Sequence, residues 1–197
     1  MKQKFLVINL LLLSSVFLFS QCSQQTKQET QKTNFGGFEN QVKFGEHLVT
    51  IMGCNDCHTP KKMGPNGPEP DMSLMLSGHP SKMPAPDIDR KEVEKKGLAV
   101  TNDLTSWVGP WGISYAANIT SDPTGIGNWQ ESNFITCLRE GKFKGIMAAR
   151  PLMPPMPWEF FKSTTDEEIK AIFAYLKSTK PIQNIVPEYQ PPVTAKK

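Results

Sequence analysis

The 197-residue sequence has little net charge and few side chains arranged for catalysis. Lys and Arg number 22 against 19 Asp and Glu, for a formal charge of +3, and two of the cations lie in the first four residues. Because no basic patch remains, nothing in the sequence favours nucleic acid as a partner. No nucleophile stands beside a readable general base either. We therefore expect neither a nucleic-acid-binding protein nor an enzyme.

The sequence also lacks an apolar run long enough to cross a membrane. Residues 5–19 are apolar over 15 positions and follow the basic start MKQK, whereas a membrane-spanning helix needs about 20. This pattern is typical of an export signal, and Cys22 follows it as in a bacterial lipoprotein. We predict a lipoprotein-type signal peptide over residues 1–21, with Cys22 lipidated. Ordinary cleavage at Ser20–Cys22 is the alternative, because Gln21 replaces the usual small residue. Either route exports the protein, and lipidation would anchor it to a membrane on the periplasmic side.

Outside one central segment, little of the chain has the composition of a core. Residues 22–38 are polar and are typical of a flexible tether. The Pro- and Lys-rich residues 188–197 predict a loose C-terminal tail. The chain is 38% hydrophobic, so the remaining residues, 39–187, suffice for one medium-sized domain.

Three segments of this domain have helical patterns. Residues 40–53 have an imperfect apolar stripe, and residues 130–140 repeat apolar side chains at helical spacing. Residues 165–178 give the clearest pattern, because Thr165 and Glu168 form a capping box at its start. About 70 residues rich in Pro and Gly separate the first two helices. A loop that long is unusual in a compact domain, so we expect it to enclose a bulky apolar ligand.

The stretch GCNDCHTP at residues 53–60 contains the chain's one close pair of cysteines. A thioredoxin-like dithiol needs a neighbouring strand–helix–strand pattern, which the sequence lacks. A structural zinc site needs four ligands, commonly as two pairs. The other cysteines and histidines, which form no second pair at ligand spacing, are Cys22, Cys137, His47 and His79.

The third interpretation of this stretch is covalent attachment of haem, whose signature is C-x-x-C-H. Cys54 and Cys57, at positions i and i+3 of a helical turn, project to one side, so each thiol can bond one haem vinyl group. His58 is then placed to ligate the iron. We therefore predict one covalently bound haem c, with Cys54 and Cys57 as thioether partners and His58 as an axial ligand. Cys137 lies on the apolar face of its helix and is expected to be an inert buried thiol.

The opposite face of such an iron needs a second ligand or an open site. Met153 and Met156 lie in the Pro-dense stretch RPLMPPMPWEFF at 150–161, and prolines restrict a loop enough to hold a weak thioether ligand in place. A second histidine is the alternative. His79 is the better rival, because His47 lies on the helix that leads into the haem motif and is expected to point elsewhere.

These motifs together resemble a class I c-type cytochrome, most closely the monohaem bacterial cytochrome c proteins related to cytochrome subunits of membrane-bound dehydrogenases. The matching stretches are GCNDCHTP, SGHP, NITSDPTGIGNW, LREGK, LMPPMPW and TDEEIKAIFAYLKS, which lie within residues 45–187. The resemblance implies an all-α, cytochrome c-like fold, with few helices around one haem, long Pro/Gly-rich loops, and first and last helices packed across each other. Related dehydrogenase subunits often contain three C-x-x-C-H motifs, whereas this sequence has one.

The resemblance also implies roles for single residues. It places the second axial ligand at Met156, in the MPW part of the loop, with Met153 as the runner-up. In such cytochromes a proline carbonyl accepts the ring N–H of the haem histidine, which indicates Pro65, or else Pro68, for this role. Five further residues could bond haem propionates or line the pocket, or equally be ordinary core and surface residues: Trp107, Trp111, Asn118, Trp129 and Arg139.

The expected function is electron transfer. A haem iron with His and Met ligands has no open site for a substrate, and this ligation raises the reduction potential. The resemblance predicts an exported carrier that takes electrons from a dehydrogenase or quinol-oxidising complex and passes them to a terminal oxidase or another cytochrome. Two alternatives stay open. One is a haem enzyme or gas-binding protein with a labile sixth ligand, and the other is a fixed cytochrome subunit of a dehydrogenase complex.

Overall fold

The structure, a computed structural model, describes residues 35–193. The predicted signal peptide, Cys22 and residues 23–34 of the predicted tether lie outside the described residues. The helices in chain order are α1 (Gln41–Ile51), α2 (Cys54–His58), α3 (Arg90–Lys96), α4 (Glu131–Glu140), α5 (Trp158–Phe161) and α6 (Asp166–Ser178). The strands are β1 (Lys61–Gly64), β2 (Gly67–Pro70), β3 (Ser106–Gly109) and β4 (Gly112–Tyr115), and short 3₁₀ turns cover Met72–Leu74 and Phe143–Gly145.

The three predicted helices are confirmed as α1, α4 and α6. The side chain of Asn40 caps the start of α1 by accepting the N–H of Lys43 at 3.0 Å. Thr165 and Glu168 form the capping box of α6 in both directions. Gly141 ends α4 in the left-handed conformation, with φ of 59°, which glycine adopts without steric cost. Signals within a few residues therefore fix the starts of α1 and α6 and the end of α4.

The all-α prediction is wrong, because two antiparallel hairpins lie between α2 and α4. β1 pairs with β2 around the turn from Gly64 to Gly67, and β3 pairs with β4 around the turn from Gly109 to Gly112. All four residues of β3 are buried. The fold is a mixed α and β structure, in which the segment predicted as a Pro/Gly-rich loop contributes the buried hairpin β3–β4.

The main core lies where α1 and α6 pack against each other, which confirms the predicted contact between the first and last helices. A Cβ on Gly45 of α1 would lie 1.9 Å from the carbonyl oxygen of Ala171 in α6. Only glycine therefore lets these two backbones approach so closely. The buried side chains of this main core are Leu48, Val49, Leu76, Ile126, Phe134, Leu138, Ile169, Ala171, Ile172 and Leu176.

The segment that follows α6 is bonded to the rest of the domain as far as the structure describes it. Gln190 pairs with Ile113 of β4, and the hydroxyl of Tyr189 donates to the carbonyl oxygen of Trp111 at 2.7 Å. The described part of residues 188–197 is thus not the loose tail that its composition predicts, because its backbone extends the hydrogen bonding of hairpin β3–β4.

Candidate functional site

Helix α2 places the two cysteines of the CNDCH motif one turn apart. Gly53 precedes it with φ of 67° and turns the chain sharply between α1 and α2. Cys54 and Cys57 are therefore neighbours on one side of the helix. Both thiols are free, and Cys54 packs against the main core. This arrangement suits two thioether bonds to a single bulky ligand.

The environment of the two thiols does not favour the other interpretations of the motif. Burial raises the pKa of Cys54 to about 11, and burial also raises the pKa of Cys57. A redox dithiol needs a lowered thiol pKa, so a thioredoxin-like pair is disfavoured. A zinc site would need further ligands, and residues 35–193 bring together no group of three or more His, Cys, Asp or Glu side chains able to hold a metal ion.

His58 is oriented by a backbone carbonyl far along the chain. Its Nδ1 lies 2.7 Å from the carbonyl oxygen of Ala117. Nδ1 therefore donates, which leaves Nε2 as the ring nitrogen able to coordinate iron. Burial lowers the pKa of His58 more than the bond to Ala117 raises it, and the neutral imidazole is the form that ligates a metal. The partner is Ala117 rather than Pro65, because Pro65 lies in the turn of hairpin β1–β2.

The chain around α2 is held in place by hydrogen bonds from the segment after β2. The N–H of Gly78 donates to the carbonyl oxygen of His58 at 2.8 Å. The N–H of Leu76 donates to the hydroxyl oxygen of Thr59 at 3.0 Å, and that hydroxyl donates to the side chain of Asn55 at 2.9 Å. The end of the motif is therefore fixed on both its backbone and its side chains.

Of the two candidate methionine ligands, Met156 has the closer link to this site. Both Met153 and Met156 are half-buried in the loop between α4 and α5. Met156 packs against the same main core as Cys54. The loop is bonded at its start, where the N–H of Leu152 donates to the carbonyl oxygen of Gly141 at 2.6 Å. The shared core contact favours Met156 as the candidate ligand.

The remaining histidines of the described segment are engaged elsewhere. His79 is fully buried, with Nδ1 2.8 Å from the hydroxyl of Thr105 and Nε2 2.9 Å from the carbonyl oxygen of Met83. Both of its ring nitrogens are thus used by protein partners. His47 is exposed, and its ring contacts the ring of Phe38 in a tilted arrangement with a centroid distance of 4.6 Å. Neither geometry favours coordination by two histidines.

Most of the weaker candidates have structural partners. Asn118 donates to the carbonyl oxygen of Ile182 at 2.8 Å, and Arg139 donates to the carboxylate of Asp166 at 2.8 Å. Burial raises the pKa of Cys137 to about 11, which is consistent with an inert thiol. The three tryptophans, all at least half-buried, are Trp107, Trp111 and Trp129. The sequence did not single out Ala117, because every residue has a backbone carbonyl.

No protein-family model matches this chain, but several curated proteins are similar to it. It is 34% identical over 157 residues to the cytochrome c subunit of an alcohol dehydrogenase (quinone) from Gluconobacter oxydans, covering 78% of this chain and 25% of that protein. It is 27% identical over 168 residues to the fructose dehydrogenase cytochrome subunit of Gluconobacter japonicus, covering 84% of this chain and 27% of that protein. The gluconate 2-dehydrogenase cytochrome c subunit of Pantoea cypripedii is 37% identical over 67 residues, which are 34% of this chain and 14% of that protein.

The chain is therefore related to cytochrome c subunits of dehydrogenases and spans about a quarter of the length of the alcohol and fructose dehydrogenase subunits. All three of these relatives are named as cytochrome subunits of dehydrogenases. Between residues 35 and 193, none of the helices has the length and apolar character to cross a bilayer.

Proposed function

We propose that this chain is a c-type cytochrome module that transfers single electrons outside the cytoplasm. One observation carries the proposal. Helix α2 presents Cys54 and Cys57 on one side, and Ala117 holds the adjacent His58 by Nδ1, which leaves Nε2 for iron. The similarity to dehydrogenase cytochrome c subunits supports the same function. When bound, haem c would supply a one-electron Fe(III)/Fe(II) couple.

The residues of the site fit this cofactor. The thiols of Cys54 and Cys57 would each add across one haem vinyl group, with the sulfur and the thiol hydrogen going to the two vinyl carbons. Nε2 of His58 and the thioether of Met156 would hold the haem iron. With both His58 and Met156 as ligands, the iron would have no coordination site open to a substrate. Electrons would therefore enter and leave by outer-sphere transfer.

The proposed donor is a dehydrogenase or a quinol-oxidising complex, and the proposed acceptor is a terminal oxidase or another cytochrome. The names of the relatives favour a fixed subunit of a dehydrogenase complex as a second form of this function. A lipid on Cys22, in the predicted signal, would keep either form at a membrane. Purification of the native protein in mild detergent distinguishes the two forms. A fixed subunit copurifies with a dehydrogenase in constant proportion, whereas a shuttle does not.

Covalent attachment is tested by producing the exported chain in cells that mature c-type cytochromes and staining denaturing gels for haem. We expect the parent to keep haem after denaturation and the double variant Cys54→Ala, Cys57→Ala to lose it. Cys137→Ala is the matched control, because it removes a buried thiol outside the motif, and it should keep haem. A parent chain without covalent haem, or a double variant that keeps it, would contradict the proposal.

A further inference from the structure

The buried hairpin β3–β4 is bonded to both segments that contain the proposed iron ligands. Just after β4, the carbonyl oxygen of Ala117 accepts Nδ1–H of His58 at 2.7 Å. Three residues earlier, the hydroxyl of Ser114 donates to the carbonyl oxygen of Pro154 at 2.6 Å. Pro154 lies two residues before Met156. Residues 114–117, at the end of the hairpin, therefore contact both the His58 side and the Met156 loop.

The hydroxyl of Ser114 has a defined direction. Nε1–H of Trp111 donates to Oγ of Ser114 at 3.0 Å, and an indole nitrogen can only donate. The hydroxyl hydrogen of Ser114 is thus left for Pro154, which gives a directed chain from Trp111 through Ser114 to Pro154. Ser114 is 6% exposed, so water does not readily replace either bond.

The hairpin that contains Ser114 is itself held in place by hydrogen bonds to the C-terminal segment. The hydroxyl of Tyr189 donates to the carbonyl oxygen of Trp111 at 2.7 Å. Gln190 exchanges backbone hydrogen bonds with Ile113, at 2.8 and 3.0 Å. The turn of the hairpin and the start of β4 are thus held by the C-terminal segment. Ser114 can serve as a fixed point for a neighbouring loop.

The loop that contains Met153 and Met156 can form few backbone hydrogen bonds of its own to hold it in place. Residues 150–157, RPLMPPMP, include four prolines, and proline has no backbone N–H to donate. The N–H of Leu152 is bonded to Gly141, and the N–H of Met156 is bonded to Met153 at 3.2 Å. The bond from Ser114 therefore adds an anchor close to Met156 that the loop's own backbone cannot replace.

The geometry points to Ser114 as a positioning residue for the thioether of Met156, an inference that rests on the proposed function. Ser114 acts through the carbonyl of Pro154, and Trp111 keeps the Ser114 hydroxyl turned towards it. Loss of the hydroxyl leaves Cys54 and Cys57 untouched, so haem attachment persists. The thioether becomes easier for an external ligand to displace.

The test is a titration of the ferric, haem-loaded protein with imidazole, combined with measurement of its reduction potential. Ser114→Ala should bind imidazole about fivefold more tightly than the parent, as expected for loss of one buried hydrogen bond. Its potential should fall, because thioether ligation raises the potential. Trp111→Phe should shift both quantities in the same direction. Ser121→Ala is the matched control, because its hydroxyl also donates to a backbone carbonyl at 2.6 Å, that of Thr179. It should shift neither.

Unchanged imidazole affinity and potential in Ser114→Ala would overturn the inference. Equal shifts in Ser114→Ala and Ser121→Ala would also overturn it, since they would indicate general loosening of the fold. Met156→Ala separates this failure from failure of the proposed ligand. If Met156→Ala changes both quantities and Ser114→Ala changes neither, only the positioning role is wrong. If Met156→Ala matches the parent, the ligand assignment is wrong and the positioning role falls with it.

Discussion

The Nδ1 atom of His58 lies 2.7 Å from the carbonyl oxygen of Ala117, 59 residues further along the chain. The close approach of these segments depends on Gly78, whose N–H donates to the carbonyl oxygen of His58. A Cβ on Gly78 would lie 2.5 Å from the carbonyl carbon of Ala117 and 2.6 Å from the carbonyl oxygen of Ala116. The orientation of the candidate iron ligand therefore requires a position without a side chain.

Gly78→Ala should displace the carbonyl of Ala117 and weaken its bond to His58. A weaker bond makes the imidazole less basic, so the reduction potential of the haem-loaded protein should rise. The free energy of unfolding should fall by about 2–4 kcal/mol from backbone strain and overpacking together. Potentiometry and urea unfolding measure the two effects.

Gly97→Ala is the matched control for backbone strain. Gly97 has φ of 66°, close to the 77° of Gly78, and a Cβ there would meet nothing within 4 Å. This variant should lose about 1–2 kcal/mol of stability through left-handed backbone strain alone and keep the parent potential. Equal effects of the two substitutions on both measurements would show that the contact with Ala117 is unimportant.

Gly45→Ala should separate α1 from α6, because its Cβ would lie 1.9 Å from the carbonyl oxygen of Ala171. We expect a loss of about 1–3 kcal/mol, or more, in the free energy of unfolding. Thr50→Ala, on the exposed side of the same helix, should change stability by about 0.5 kcal/mol or less. Urea unfolding of both variants checks the comparison. A Gly45→Ala variant as stable as Thr50→Ala would refute the close helix contact.

Asp103, just before β3, should stabilise the fold, and this stabilisation should be lost at acidic pH. Burial raises the pKa of Asp103, but the nearby imidazole of His79, whose Nδ1 lies 3.6 Å from Oδ2 of Asp103, and hydrogen bonds from Thr105 and Ser106 together hold that pKa well below the usual value of 3.8. A carboxyl whose pKa is lowered in the folded chain stabilises the fold at pH values above its pKa in the unfolded chain. That contribution is lost as pH falls from about 3.8 towards the folded pKa.

Asp103→Asn should therefore lower the free energy of unfolding by about 1.5–3 kcal/mol at pH 7, the range for hydrogen bonds to a charged group. The difference from the parent should shrink as pH falls below about 3.8. Asp71→Asn is the control, because Asp71 also accepts backbone and hydroxyl hydrogen bonds, both from Ser73, but these bonds are exposed to solvent. It should cause no comparable loss. A deficit in Asp103→Asn that stays constant down to strongly acidic pH would contradict this account.

The sequence predicts the parts of the site that are local in the chain. Cys54, Cys57 and His58 form one motif, and helix α6 follows from the capping box of Thr165 and Glu168. Each of these features depends on residues within one or two helical turns. The Nδ1 partner of His58 is different, because any residue can supply a backbone carbonyl. The sequence predicted Pro65 for that role, and Ala117 could be identified only once the tertiary contact was known.

The two hairpins were missed by the sequence prediction for a different reason. Pro and Gly at 64–67 and 109–112 predicted a loop, whereas in the structure they form the turns between paired strands. The Asn–Gly pair at 66–67 is a hairpin signal that could have been recognised. Strand β3 is buried at every position, so it lacks the alternation of apolar and polar residues that marks a half-exposed strand. Its pairing became visible only with the tertiary structure.

The central claim is that His58 and Met156 ligate one covalently bound haem that exchanges single electrons. The most direct measurement is a potentiometric titration followed by visible spectroscopy, made on the parent, Met156→Ala and the neighbouring control Met153→Ala. We predict a reversible one-electron titration and a thioether–iron band in the oxidised parent and in Met153→Ala. In Met156→Ala the band should disappear and the potential should fall. A band that persists in Met156→Ala, or a parent without the band that readily binds carbon monoxide or cyanide, would contradict the account.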